Sequence, residues 1–152
     1  MPERVVRRIL VPVELTDRTP LDADYAIGLA AQLGAELILL TVIDTPTMVH
    51  LIGHHRMVGG DRTDFQRGVV DDAKDYLQEI VDRAARRGVR ALGHATVSEE
   101  VVEQILKEAL VQRVDLILVR SAGKTGLMKA LMGGTAGDIL KAAPCPVLVG
   151  RP

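Results

Sequence analysis

Five short segments dense in Val, Ile and Leu recur along the chain, at 8–13, 36–43, 90–97, 115–120 and 146–150. Four of them lack clean alternation of apolar and polar residues, as expected of strands covered on both faces. Stretches of helical spacing lie between them, so strand and helix alternate from end to end. Strands separated by crossovers this long are parallel neighbours joined by right-handed connections, and the fold class expected is a three-layer α/β sandwich.

The helical stretches carry their own punctuation. The first places Leu21, Tyr25, Leu29 and Leu33 on one face, the second Val70, Leu77, Ile80 and Ala84, and the third Val101, Ile105 and Ala109. Thr19 is placed to cap the first helix ahead of Pro20, and Gly34 to stop it. Arg86, Arg87 and Gly88 close the second; Ser98 opens the third, with Glu99 and Glu100 in its first turn. A fourth helix is expected from Thr135, with Asp138 three residues on, ending before Pro144. The connections from Asp44 to about Asp64 and from Ser121 to about Gly134 are longer than a core needs.

No linker, repeat or low-complexity stretch divides the 152 residues, so 1–152 reads as a single domain. The formal net charge of -1 carries no footprint for nucleic acid or an anionic membrane surface. Aromatic residues at 2% remove the stacking platforms of single-strand binders. One cysteine, Cys145, excludes an intrachain disulfide, and the expected setting is cytoplasmic. The residues after Met1 lack the pattern of a signal peptide, and no apolar run is long enough to insert into a bilayer.

In an open α/β sheet, ligands bind beyond the carboxyl ends of the strands at the point where strand order reverses. The loops expected to carry chemistry are therefore Glu14 to Asp17, the stretch from Asp44, and the glycine-rich loop after Arg120. That loop holds Gly123, Gly126, Gly133 and Gly134 ahead of Thr135, with Lys124 and Lys129 as mobile cations. Glycines between a strand and a helix expose backbone N–H groups to a phosphate; the competing reading is a plain turn and helix start. Gly123-Lys124-Thr125 matches the end of a P-loop, but Leu118 stands where that motif needs its first glycine. A dinucleotide fingerprint is absent, since Glu14 to Arg18 contains no glycine.

Four blocks together resemble the universal stress protein family: the opening Arg8 to Glu14, Leu39 to Asp44, the Gly-x2-Gly-x6-Gly loop from Gly123 to Gly133, and the ending Ala142 to Val149. The resemblance covers essentially the whole chain. It implies a Rossmann-like fold of five parallel strands in order 3-2-1-4-5 with four helices, and a homodimer through the last strand, Pro146 to Gly150. For one branch of the family it implies an ATP or AMP site with the pattern Gly-x2-Gly-x9-Gly-Ser/Thr, and magnesium only as a companion of the nucleotide. On this chain those positions fall on Arg120, Gly123, Gly133 and Gly134, so two of the four depart. Arg120 either fills space meant for the nucleotide or swings out to meet its phosphates. Thr135 follows one residue after the missing hydroxyl, Ala122 replaces a usual histidine, and Glu14 replaces a usual aspartate. Pro12, Val13 and Val42 match the adenine-side positions. The function implied is a regulatory or stress-response module without catalysis that binds an adenine nucleotide. The alternative is a nucleotide-free homodimeric interaction module, such as a transporter or signalling regulator, whose glycine loop is a relic.

Other chemistry is thin. His50, His54 and His55 lie near Asp61 and Asp64, and His50 with His54 would share a face if that piece were helical; a third ligand at motif spacing is missing, so no metal is expected. Ser98 reads as a cap, and Ser121 lacks the flanking glycines of a nucleophile elbow. His94 reads as a satisfied strand histidine, and Cys145 between Pro144 and Pro146 as a small residue buried where a strand begins.

Overall fold

The computed structural model describes residues 3–15, 20–52, 62–120 and 142–150. Five parallel strands, β1 (Arg8–Pro12), β2 (Glu36–Ile43), β3 (Ala91–Val97), β4 (Leu116–Arg120) and β5 (Val147–Gly150), form one sheet in the order β3-β2-β1-β4-β5. The described helices are α1 (Pro20–Leu33), α2 (Thr45–Ile52), α3 (Arg62–Arg86) and α4 (Val101–Val111). The α/β class and the 3-2-1-4-5 order expected from the sequence are those observed.

The near-continuous apolar runs reflect burial on both faces. Ile9, Val11, Leu37, Leu39 and Leu118 pack with Ala26, Ile27 and Ala30 of α1 and Leu77, Ile80 and Ala84 of α3. Leu10, Ile38, Leu40, Ile117 and Val119 point the other way, onto Ile105 and Ala109 of α4. Alternate residues of one strand thus serve opposite layers. Each fully buried Leu or Ile contributes roughly 1.5–3 kcal/mol, whereas an exposed ion pair contributes about 0–1 kcal/mol. Aliphatic burial therefore holds the sheet, and surface charges are left for other work.

Three helices end in the same way. A residue in the left-handed region is followed by an amide that reaches back to the carbonyl five residues before it: Gly34 (φ 66) with Ala35 N to Ala30 O at 2.9 Å, and Gly88 (φ 74) with Val89 N to Ala84 O at 2.9 Å. In α4 the position belongs to Arg113 (φ 52), with Val114 N donating to Ala109 O at 3.1 Å.

Three local expectations change. The buried face of α1 is Ala26, Ile27 and Ala30, while Tyr25 and Leu33 are 42% and 40% exposed. Small alanines bring the helix close to the sheet, and the larger side chains spaced by four fall to its edge. The connection after Asp44 contains α2. Ser98 does not cap α4: its Oγ accepts the Glu100 amide at 3.1 Å, and Glu100, at the cap position, makes no side-chain cap bond. The helix expected from Thr135 and the Thr19 cap lie outside the described residues, so the fourth described helix is α2.

Gly93 of β3 meets Leu77 of α3 so closely that an added Cβ would lie 2.8 Å from the Leu77 Cβ. That atom is fixed to the helix backbone and cannot swing away. Gly93→Ala is expected to destabilise the protein by about 1–3 kcal/mol in urea unfolding; an unchanged midpoint would show that α3 does not seat on β3 here.

Candidate functional site

The chain runs from β1 outward through β2 to β3, then returns to the other side of β1 with β4 and β5. The carboxyl ends of β1, β2 and β4 therefore flank the point where strand order reverses. Val13 is the first residue past β1, and both its backbone groups are fixed on β2. Its amide donates to Leu40 O at 2.8 Å, and its carbonyl accepts the hydroxyl of Thr41 at 3.0 Å. Thr41 is 1% exposed, so this is a buried polar group satisfied by the adjacent strand end. Pro12 closes β1 opposite Leu40 and has no N–H to offer.

Glu14 follows, half-buried and with Oε1 sealed from solvent. Leu15 then turns inward to join Ile43, Val69 and Ala73, with Met48 of α2 and Phe65 of α3 against them. Val42 is half-buried and packs on the α4 side of the sheet. Arg120 ends β4 in register with Gly150. Pro12, Val13, Glu14, Val42 and the backbone of Arg120 are thus brought to one end of the sheet. Gly123, Gly126, Gly133, Gly134 and Thr135 lie outside the described residues.

Asp44 has a structural task. Its Oδ1 accepts the Thr47 amide at 2.9 Å and its carbonyl the Met48 amide at 3.0 Å, so it caps α2. Glu99, from the loop after β3, accepts both the Thr45 amide, at 2.9 Å, and the Thr45 hydroxyl on one carboxylate oxygen. The Ser98 amide also donates to Ile43 O at 3.0 Å. The loop leaving β3 is thereby tied to the end of β2 and the start of α2. The signal for α2 was present in Asp44-Thr45-Pro46, a capping residue followed by proline in the first turn. Glu100 beside Glu103 raises the Glu103 carboxyl above its ordinary pKa, first by a hydrogen bond and then by repulsion.

His54, His55 and Asp61 lie outside the described residues. Among the described residues no group of three or more His, Cys, Asp or Glu is placed to hold a metal ion, and no helix is long and apolar enough to cross a membrane. His94 is bonded, as expected of a strand histidine: Nδ1 lies 3.2 Å from Oε2 of the nearly buried Glu108, whose Oε1 accepts from Gln112. Glu108 was not singled out from the sequence. Cys145 is half-buried and free, and burial, with a lesser contribution from Asp115, pushes its thiol pKa up.

The sequence profile of the universal stress protein family matches residues 6–151. A universal stress protein of Methanocaldococcus jannaschii is 28% identical over 97% of this chain and 83% of its own length. The crystal structure of a protein of this family from Burkholderia pseudomallei is 25% identical and superimposes with a TM-score of 0.68, covering 97% of this chain and 98% of its own. A structure of the universal stress protein from Archaeoglobus fulgidus in complex with dAMP is 17% identical with a TM-score of 0.57, covering 95% of this chain and 98% of its own.

Proposed function

The chain belongs to the universal stress protein family, and we propose that it is a regulatory module of the stress response that takes an adenine nucleotide, ATP or AMP, at the carboxyl ends of β1, β2 and β4. The observation carrying this reading is the double anchoring of Val13 on β2, which presents a rigid aliphatic wall at the switch point. In this reading Pro12, Val13, which packs on the α1–α3 side of the sheet, and Val42, which packs on the α4 side, border the base, and Glu14 offers a carboxylate for its edge. The phosphates belong with the backbone amides of Gly123, Gly126 and Gly133, magnesium entering only as their companion. Relatives captured with dAMP and with cAMP support an adenine ligand. Arg120 and Gly134 depart from the family pattern. In this reading Arg120 supplies a cation to the phosphates and Thr135 the hydroxyl that Gly134 lacks.

The response is read through occupancy and partner contacts, without turnover. The partner is a second copy, joined through the edge strand β5, where Leu148 and Val149 on opposite faces are 38% and 49% exposed. The lone thiol of Cys145 suits a reducing, cytoplasmic setting. Arg120 and Gly134 also give weight to a second reading, a nucleotide-free interaction module that regulates a transporter or signalling protein.

Titration calorimetry of nucleotide-free protein with ATP and AMP separates the two. Saturable heat without phosphate release supports the sensor, and absence of heat leaves the interaction module. If Arg120→Gly with Gly134→Ser gains binding that the parent lacks, the glycine loop of the parent is a relic. In sedimentation velocity the protein is expected to run as a dimer and the Leu148→Asp, Val149→Asp variant as a folded monomer; a dimer in both contradicts the β5 interface.

A further inference from the structure

A parallel sheet puts every strand start at one end of the molecule, and in this chain that end is crowded with arginine. Arg7 and Arg8 stand at the start of β1, Arg90 just before β3 and Arg113 just before β4. Arg4 lies against Gly34, ahead of β2, with Nη1 donating to Gly34 O at 3.1 Å. Arg86 ends α3 and Arg87 follows it. All seven residues are exposed. With strands about 4.8 Å apart, the row from β3 across β2 and β1 to β4 spans roughly 14 Å.

Neutralisation within the end is incomplete. Glu3, Glu36 and Asp115 are the carboxylates at these strand starts. Glu36 is shared between Arg8, at 3.7 Å, and Arg90, at 3.6 Å, and Glu3 meets Arg7 at 3.5 Å. Asp115 is engaged by the backbone amides of Arg7 and Arg8, at 2.9 and 3.1 Å. The carboxyl ends of α1, α3 and α4 point the same way and contribute roughly half a negative charge each. Asp82, one turn before Arg86 on α3, adds a fourth carboxylate; seven guanidinium groups still exceed this total by more than one charge, and the side chains of Arg7 and Arg90 remain 65% and 84% exposed.

Two further observations indicate that the surplus has a use. Arg113 occupies the left-handed position that glycine fills in the other two helix ends, so an arginine stands where its backbone is strained. Exposed aliphatic side chains stand among the cations: Val5 (85%) between Arg4 and Arg7, and Leu110 (64%) and Val111 (68%) in the last turn of α4 before Arg113. Guanidinium groups interleaved with bare aliphatics match a layer of lipid phosphates over an acyl boundary. Single-stranded nucleic acid would call for stacking surfaces, and the whole chain has only three aromatic residues.

We propose that the amino end of the sheet is a docking surface for an anionic phospholipid bilayer, facing away from the nucleotide crevice. The chain's charge of -1 does not reveal this surface, because these seven arginines are collected at one end by topology.

The test is co-sedimentation with vesicles of phosphatidylcholine alone and of phosphatidylcholine mixed with phosphatidylglycerol, at low and at physiological salt. The protein is expected to follow only the mixed vesicles and to be released as salt rises. Binding should fall about fivefold for each arginine removed, so Arg113→Gly alone should bind about fivefold more weakly while unfolding at the same or a higher urea concentration. The Arg7→Glu, Arg90→Glu, Arg113→Gly variant should stay in the supernatant, and Lys74→Glu on the middle of α3 should bind as the parent does. No binding to mixed vesicles, equal binding to neutral ones, full binding by the triple variant, or preferential capture by polyadenylate or poly-L-glutamate would overturn the proposal.

Discussion

The parallel pairing of β1 with β2 on one side and β4 on the other is the constraint from which the rest follows. Leu10 lies beside Ile38 and level with Ile117, and all three are essentially buried. With β1 central, both faces of its strand are covered and both of its edges are paired. Every loop after a strand then opens at one end, and every arginine before a strand gathers at the other. The fixing of Val13 by Leu40 and Thr41 extends the same pairing past the strand, giving the proposed crevice a rigid wall.

Charge follows this division. Glu14, Asp44, Glu99, Glu100 and Glu103 stand at the carboxyl end, where helices begin and backbone amides are exposed. Asp44 and Glu99 are drawn into holding α2 in place. At the opposite end helices terminate, carbonyls are exposed, and Arg4 and Arg8 donate to Gly34 O and Gln112 O. Helix dipoles account for part of that arrangement. They do not account for an arginine held at a positive φ or for Val5 left bare between two cations.

Much of this was legible in the residues because the signals were physical and local. Aliphatic runs of strand length marked β1, β2, β4 and β5, while β3 (Ala91–Val97) is broken by Gly93, His94 and Thr96, and Gly34 and Gly88 marked two helix ends through their left-handed conformation. Spacing failed on α1, where Tyr25 and Leu33 share a face that lies at the margin of the core, since alanines set how closely the helix approaches. It failed again at Ser98, whose hydroxyl found the amide two residues on before α4 began. Net charge holds no positions, because it is a sum over the chain. Only the topology shows that Arg7, Arg90 and Arg113, far apart in sequence, occupy one end.

The central proposal is a crevice at the carboxyl end that takes an adenine nucleotide through residues fixed by the sheet. Its most direct test is the amide spectrum of isotope-labelled protein titrated with AMP. The account predicts progressive, saturable shifts at Val13, Thr41, Val42 and the residues of the glycine loop, with Arg7, Arg90 and Arg113 unmoved. Shifts confined to the strand starts, or none at millimolar AMP, would contradict it.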